Sequence, residues 1–153
     1  MVRAIDLDEQ SRKHILGVPC PEFAETAFVV GPPLARRRVA LISTAGLHRR
    51  NDRPFAVGAN DYRAIPGDTP AADLVMSHVS TNYDRTGFQQ DLNVVLPLDR
   101  LRELVADGAV GAVAAYHYSF MGATDPTRLE ATGRHLAGLL KADQVDAVVL
   151  LPV

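Results

Sequence analysis

The chain has 153 residues, of which 47% are hydrophobic and 22% are charged, and its formal net charge is −2. Such values are typical of one globular domain of common size. The small net charge provides neither a basic footprint for nucleic acid nor a polybasic signal for a membrane surface, so neither partner is expected.

The cysteine content and the amino terminus indicate the cellular compartment. Cys20 is the only cysteine, so an internal disulfide is impossible, and nothing around it favours a nucleophile over a structural or exposed thiol. Residues 1–6 lack the apolar core of a signal peptide. No apolar run reaches the roughly 18 residues that a membrane helix needs. We therefore expect a cytoplasmic protein.

The first predicted strand follows an amino-terminal arm, residues 1–37, in which prolines interrupt any long element. Residues 39–44 are mainly apolar, which predicts a strand covered on both faces. Residues 47–72 are rich in turn-forming side chains and predict loops, with room for one short strand at residues 62–65.

A second strand is predicted at residues 73–77, and a polar segment follows it. A helix is predicted to begin near Pro97, because apolar residues then recur at helical spacing, and to end at Asp107 and Gly108. The residues on its apolar face are Leu98, Leu101, Leu104 and Val105.

The remaining elements are a strand at residues 110–116, a helix that starts where Pro126 follows the capping residue Asp125, and a strand at residues 145–151. Alternating strands and helices indicate βαβ units. We therefore predict an α/β fold with a three-layer, mostly parallel sheet, similar to flavodoxin or Rossmann folds, over residues 38–153.

The last predicted strand has an unusual setting. Residues 148–151 have the composition of a buried central strand, yet the sequence stops at Val153, before the helix that normally covers such a strand. We expect the fold to be incomplete at its C-terminal end. Its exposed apolar flank is then expected to associate with a second copy or with a partner chain.

The polar segment after the second predicted strand is the first candidate site. A strand that delivers a histidine, here His78, into a polar loop is where α/β enzymes place acid–base residues. Alternatively, the asparagines and aspartates of this segment form turns and helix caps. The segment also contains Asn82, Tyr83, Asp84, Asp91 and Asn93.

Two more strand ends carry candidate residues. His117 and Ser119 lie among aromatic residues, which suits the wall of a substrate pocket or, alternatively, ordinary packing at a sheet edge. Thr44 and His48 flank Gly46 where the first strand ends, and backbone amides can approach an anionic ligand there. No histidine pair has metal-ligand spacing, and no GxGxxG or P-loop motif occurs, so no metal site is predicted.

Six segments together form a recognisable pattern: VALISTAGLH (39–48), DYRAIP (61–66), SH followed by YD (77–84), DLNVVLPLDRL (91–101), SFMG (119–122) and VDAVVL (145–150). Through them the chain resembles the selenoprotein B family of glycine/sarcosine/betaine and D-proline reductases over about residues 38–153. The segment 91–101 is the most specific of the six.

The resemblance implies an oxidoreductase subunit that reductively cleaves a C–N bond of a small amino-acid-like substrate. Its reactive group is a selenocysteine, or a cysteine in its place, which the family carries soon after the strand that corresponds to residues 145–151. We therefore expect a selenocysteine or cysteine just after Val153, with a UGA codon there that was read as a stop. A deliberate truncation and a natural split protein are the alternatives. A partner subunit is expected to hold the substrate through a pyruvoyl group, and thiols are expected to regenerate the enzyme.

The resemblance also implies site residues. His78 and Asp84 are expected to be catalytic, with His78 as the acid–base group. The expected substrate-binding residues are Thr44, His48, Tyr83, Asp91, Asn93, His117 and Ser119.

Two other functions remain open. The chain is alternatively a non-catalytic α/β module of the same family that binds a ligand or a subunit. It is otherwise a different small-molecule enzyme, such as a racemase or lyase, although Cys20 lies in the arm and not at a strand end, which disfavours a cysteine-pair racemase.

Overall fold

The computed structural model describes residues 3–17, 22, 27–80 and 83–153 of the chain. Cys20 and Asn82 lie outside these residues. The predicted arm contains a helix, α1 (Glu9–Leu16), which begins where the Asp8 carboxylate accepts a hydrogen bond from the Ser11 amide at 2.9 Å. No side chain of α1 is buried. The boundary at residue 37 remains a prediction.

The strands of the described residues are β1 (Arg38–Ser43), β2 (Leu47–Arg49), β3 (Tyr62–Pro66), β4 (Leu74–Met76), β5 (Ala112–Val113), β6 (Tyr116–Phe120) and β7 (Ala147–Leu151). The helices that follow α1 are α2 (Thr86–Gln90), α3 (Leu98–Ala106) and α4 (Glu130–Ala142). Short 3₁₀ turns connect several of them, at Leu92–Val94 before α3 and at Pro126–Leu129 before α4.

Strand β1 is the centre of the main sheet. It pairs in parallel with β7 on one side and with β5 and β6 on the other, and β3 adds an antiparallel strand next to β6. The sheet is therefore mixed. The predicted α/β class is confirmed, and the likeness to flavodoxin or Rossmann folds stays a prediction.

Strands β5 and β6 are two parts of one interrupted strand. Arg38 lies opposite Ala112, whereas Ile42 lies opposite Tyr118, so the register slips by two residues between the two parts. The prediction of one strand at residues 110–116 was wrong in its bounds. The composition of this segment is apolar throughout, and it gives no sign of where pairing stops and resumes.

A separate two-stranded antiparallel sheet, β2 with β4, was not predicted. The strand expected at residues 73–77 exists, but it pairs with β2 and does not join the main sheet. Strand β2 has only three residues, two of them polar, and it lies in a segment rich in turn-forming residues, so no period-2 pattern marks it.

Two apolar clusters pack on opposite faces of β1, because successive side chains of a strand point to opposite sides. The larger cluster joins Val39 and Leu41 to Leu101 of α3. The smaller one joins Ile42 to Tyr118 of β6 and Leu136 of α4.

The predicted helix boundaries are confirmed. Helix α3 follows Pro97 directly and ends at Ala106, with Asp107 as its C-cap and Gly108 in the left-handed region (φ 73°). The Asp125 carboxylate caps the second helical segment by accepting a hydrogen bond from the Thr127 amide at 2.9 Å.

The apolar flank predicted beside the last strand is present. Strand β7 pairs with β1 alone among the described residues, and its side chains at Val148, Val149 and Leu150 are 37%, 43% and 70% exposed. No helix within the described ranges is both long and apolar enough to cross a lipid bilayer.

Candidate functional site

The carboxyl ends of the parallel strands β1, β6 and β7 meet around Thr44. The Gly122 amide, after β6, donates a hydrogen bond to the Thr44 carbonyl oxygen at 2.9 Å. The Val153 amide, after β7, donates one to the Thr44 Oγ1 at 2.8 Å. A Cβ atom on Gly122 would lie 2.9 Å from the Thr44 carbonyl oxygen and 3.0 Å from that of Val153. The three chain segments therefore touch at a point where no side chain fits at position 122.

Gly46 brings the His78 segment against the end of β1. Its amide donates to the Phe120 carbonyl at 2.9 Å, and its carbonyl accepts from the Ser77 amide at 3.0 Å. It adopts φ 66°, and a Cβ atom there would lie 3.0 Å from the backbone nitrogen of His78. Glycine therefore meets two needs at this position, a left-handed backbone and close contact between two chain segments.

His78 is a buried polar residue at this end of the sheet. Its side chain is 6% exposed, and its ring lies 4.9 Å from the Tyr83 ring between centroids. The Nδ1 atom accepts a hydrogen bond from the Ser80 amide at 3.2 Å, which leaves the ring proton on Nε2. The buried Nε2 atom has no hydrogen-bond partner among the described residues.

Burial lowers the pKa of His78 below its ordinary value of 6.5, and the positive charge of Arg85 lowers it further. The imidazole is therefore neutral at neutral pH. A neutral ring with its proton on Nε2 is a hydrogen-bond donor, and the site offers this donor no acceptor from the described chain. Burying an unpaired N–H group costs about 1–3 kcal/mol, which a bound acceptor would recover.

Arg85, which sequence reasoning did not single out, closes the loop around His78. Its guanidinium donates to the carbonyl oxygens of His78 (2.6 Å), Ser80 (3.2 Å) and Tyr83 (3.3 Å). Only its closeness to Tyr83 in the sequence could have drawn attention to it.

Asp84, Asp91 and Asn93 lie on the surface and make local bonds. Asp84 accepts a hydrogen bond from the Thr86 amide (2.8 Å). Its pKa is lowered by hydrogen bonding to the Thr86 side chain and, to a smaller extent, to this amide. Asp91 accepts from the Asn93 amide and from the Asn93 side chain, both at 2.9 Å, and the backbone bond is the main cause of its lowered pKa. These are turn bonds. The catalytic role of Asp84 and the substrate-binding roles of Asp91 and Asn93 stay predictions.

Asn93 connects this turn to helix α3. Its Oδ1 atom accepts a hydrogen bond from the Asp99 amide at 3.1 Å, and its Nδ2 atom donates to the Asp99 carboxylate at 3.2 Å. The most specific segment of the family pattern thus contains a helix-capping network.

His117 and Ser119 lie inside β6 and are fully buried. The Ser119 hydroxyl accepts a hydrogen bond from the Leu47 amide at 2.8 Å, and the His117 Nδ1 atom accepts one from the Leu41 amide at 3.0 Å. Burial lowers the pKa of His117 from 6.5 to about 4, and the charge of Arg102 contributes to this shift. Both side chains hold the sheet together, and the prediction that they bind substrate remains open.

His48 is also buried, in β2, where its Nδ1 atom lies 2.8 Å from the Arg49 carbonyl oxygen. Because a carbonyl only accepts, Nδ1 carries the proton and Nε2 has the lone pair. That Nε2 atom is buried without a partner among the described residues.

No group of three potential ligands in the described part of the chain is placed to hold a metal ion.

Comparison with known proteins identifies the family to which the six sequence segments belong. The sequence pattern of the family described as glycine/sarcosine/betaine reductase selenoprotein B matches residues 28–152. The chain belongs to this family. The matched range includes every described candidate residue, from Thr44 to Ser119. The resemblance to the selenoprotein B family that the six segments predicted is confirmed.

Curated relatives are named as subunits of reductases. The chain is 36% identical over 115 residues to the D-proline reductase subunit gamma of Acetoanaerobium sticklandii, covering 73% of this chain and 47% of the relative. It is 30% identical over 122 residues to the glycine reductase complex component B subunit gamma of Carboxydothermus hydrogenoformans, covering 76% and 28%. It is 32% identical over 123 residues to the sarcosine reductase complex component B subunit beta of Peptoclostridium acidaminophilum, also covering 76% and 28%. The chain thus spans less than half the length of these three selenoprotein B relatives. No solved structure matches it.

Proposed function

We propose that the chain is a subunit of a selenol- or thiol-dependent reductase in the cytoplasm that reductively cleaves a C–N bond of a small amino-acid-like substrate. The observation that carries the proposal is the buried Nε2–H of His78, which has no acceptor among the described residues and lies at the carboxyl end of the sheet. Family membership supports the reaction class, since the relatives are named as D-proline, glycine and sarcosine reductase subunits.

In this proposal His78 acts as a neutral hydrogen-bond donor. Its Nδ1 atom is occupied by the Ser80 amide and its pKa is lowered, so proton donation by an imidazolium is disfavoured at neutral pH. An N–H aimed at an anionic group, such as the substrate carboxylate, stabilises that group most where water is excluded. Tyr83 packs against the ring and limits its rotation.

A selenocysteine or cysteine after Val153 remains part of the proposal. Thr44 and Gly122 are the residues that would lie nearest to it, because the Val153 amide bonds to Thr44 Oγ1. When present, such a group supplies the nucleophile that displaces the amine nitrogen from carbon, while a dithiol provides the two electrons and ends as a disulfide. A pyruvoyl group on a partner subunit likewise remains an expectation.

The codon that follows Val153 in the gene tests the reactive group. A UGA codon followed in frame by sequence for a helix is expected. An ordinary stop codon with no continuation would contradict the selenol version of the proposal.

A titration followed by NMR tests the binding role of His78. Addition of D-proline, glycine, sarcosine or betaine, one at a time, to the ¹⁵N-labelled chain is expected to shift the amide signals of Thr44, Gly46 and Ser80. His78→Ala should abolish these shifts, whereas His14→Ala, on the exposed surface of α1, should not. If none of the four compounds shifts these signals, the site does not bind this class of substrate by itself.

A non-catalytic binding module of the same family is the second candidate. It is favoured by one observation: the matched residues 28–152 contain no cysteine, since Cys20 precedes them. This function predicts ligand-induced shifts at Thr44 and Gly46 together with an ordinary stop codon after Val153. The two candidates are therefore separated by the pair of experiments above.

A further inference from the structure

The side chain of Arg85 binds the loop that carries His78. The Arg85 guanidinium donates to main-chain carbonyls at three positions of this loop, residues 78, 80 and 83, at 2.6, 3.2 and 3.3 Å. Hydrogen bonds from a charged donor are stronger than those between neutral groups, and here three of them share one planar group.

The same guanidinium lies over the Tyr83 ring, which in turn contacts the His78 ring. It lies 5.8 Å from the centroid of the Tyr83 ring, and the Tyr83 ring lies 4.9 Å from the ring of His78. None of the ion pairs formed by the described residues includes Arg85. The neighbouring carboxylate, Asp84, instead accepts a hydrogen bond from the Thr86 amide. The charge of Arg85 is therefore directed at the loop backbone and the two rings.

Arg85 also bonds to both sides of the hydrogen bond that holds the His78 ring. The Ser80 amide donates to His78 Nδ1, and the carbonyl oxygens of His78 and Ser80 both accept from Arg85. The nearby positive charge also opposes a second proton on the ring.

We propose that Arg85 is a positioning residue for His78: by tying three carbonyls of the loop together, it fixes the ring as a neutral imidazole with its proton on Nε2. The role of that Nε2–H in substrate binding rests on the proposed function, but the effect of Arg85 on the ring does not. Lysine cannot replace arginine here, because its three N–H donors share one nitrogen atom, whereas arginine reaches the three carbonyls from two nitrogens of a planar fork.

The test compares Arg85→Ala and Arg85→Lys with the unaltered chain, using the ¹⁵N signals of the His78 ring and hydrogen exchange at the Ser80 amide. Arg134→Ala is the matched control, because Arg134 pairs with Glu130 (2.8 Å) on the exposed face of α4, away from the loop. In the unaltered chain and the control, the ¹⁵N signals are expected to show the proton on Nε2 alone.

Arg85→Ala is expected to give a mixture of the two neutral ring forms, an upward shift of the His78 titration midpoint, and exchange at Ser80 that is roughly tenfold faster. Arg85→Lys should keep most of the charge effect on the midpoint but lose the protection of Ser80. The proposal is overturned if both variants keep the Nε2–H form and the Ser80 protection of the unaltered chain. If Arg85→Ala unfolds, Arg85→Lys alone gives the decision by the same two signals.

The outcome is separable from the proposed function. Loss of the fixed ring form in the Arg85 variants supports the positioning role even if none of the four amino-acid compounds binds. A different result is that a compound binds the unaltered chain and Arg85→Lys with equal affinity while the ring form of His78 is unchanged. That result would support the binding site and contradict the positioning role of Arg85.

Discussion

The Leu41 backbone amide donates its hydrogen bond to Nδ1 of the His117 side chain, at 3.0 Å, and not to a carbonyl of the neighbouring strand. The bond lies where β5 and β6 are interrupted, so an imidazole nitrogen supplies the acceptor that the strand backbone lacks there. The ring must be neutral to do this, which makes the stability of the sheet dependent on pH.

The first prediction is that stability falls when the protein is acidified. The folded pKa of His117, about 4, is below the unfolded value of 6.5, so the unfolded chain binds more protons between these values. Its contribution is complete above pH 6.5 and is lost progressively down to about pH 4, with a total of roughly 3 kcal/mol. Urea unfolding at several pH values measures this loss.

Asparagine provides the control for this prediction. His117→Asn can place its Oδ1 atom near the position of Nδ1, so it retains an acceptor for Leu41 but does not titrate. The free energy of unfolding of this variant should change less between about pH 7.5 and about pH 5. His78, whose pKa is also lowered, contributes a remaining slope in the same direction. Equal slopes for the variant and the unaltered chain would show that His117 is not the responsible group.

The second prediction concerns Gly46. Gly46→Ala should destabilise the protein for two reasons. The backbone is left-handed at this position (φ 66°), and the new Cβ would lie 3.0 Å from the backbone nitrogen of His78. Gly108→Ala is a matched control, since it has a similar φ of 73° but nothing within 4 Å of the new Cβ. The control should lose about 1 kcal/mol from backbone strain alone, and Gly46→Ala should lose more, roughly 2–3 kcal/mol. Equal losses in thermal or urea unfolding would mean that crowding at His78 is absent.

The third prediction separates capping from substrate binding at Asn93. Asn93→Ala removes the acceptor for the Asp99 amide at the start of α3 and should lower stability by about 1 kcal/mol. If Asn93 acts only as a cap, the ligand-induced shifts at Thr44 and Gly46 should be the same as in the unaltered chain. Loss of those shifts with little change in stability would instead support the substrate-binding role predicted from the sequence.

The fourth prediction concerns the outer edge of β7. Because Leu150 is 70% exposed on a strand with one free edge among the described residues, the chain is expected to associate with a second copy or a partner subunit. Leu150→Lys should reduce association in sedimentation velocity experiments. Val57→Lys, at an 86% exposed position outside the strands, should not. A concentration-independent monomer for the unaltered chain would remove the second copy as the occupant of this edge.

Elements marked by strong local signals were predictable from the sequence. Strand β7 is an unbroken apolar run, β1 contains one at residues 39–42, and helix α4 follows a capping aspartate and a proline. These signals come from local backbone and burial preferences, so they survive in any tertiary arrangement. The position of His78 at the end of the second strand was predicted in the same way, since β4 ends at Met76, two residues earlier.

Partners in pairing were not predictable. The local sequence does not indicate that β4 pairs with β2, or that β5 and β6 both pair with β1. For the same reason the burial of His117 and Ser119 inside the sheet could not be predicted, because a strand end and a strand interior have the same apolar and aromatic neighbours here. Arg85 escaped notice because its bonds are to carbonyl oxygens, which have no side-chain signature.

The slip of register between β5 and β6 also restricts how this strand can change in length. Because the slip is two residues, Val113, His117 and Ser119 all face the same side of the sheet as Val39 and Ser43. Deleting one residue at Ala114 or Ala115 would turn the histidine to the face that packs against α4 and would turn Tyr118 and Phe120 to the face that packs against α3. Removing both residues would preserve the facing of every side chain. Natural relatives that vary here are therefore expected to gain or lose residues in pairs.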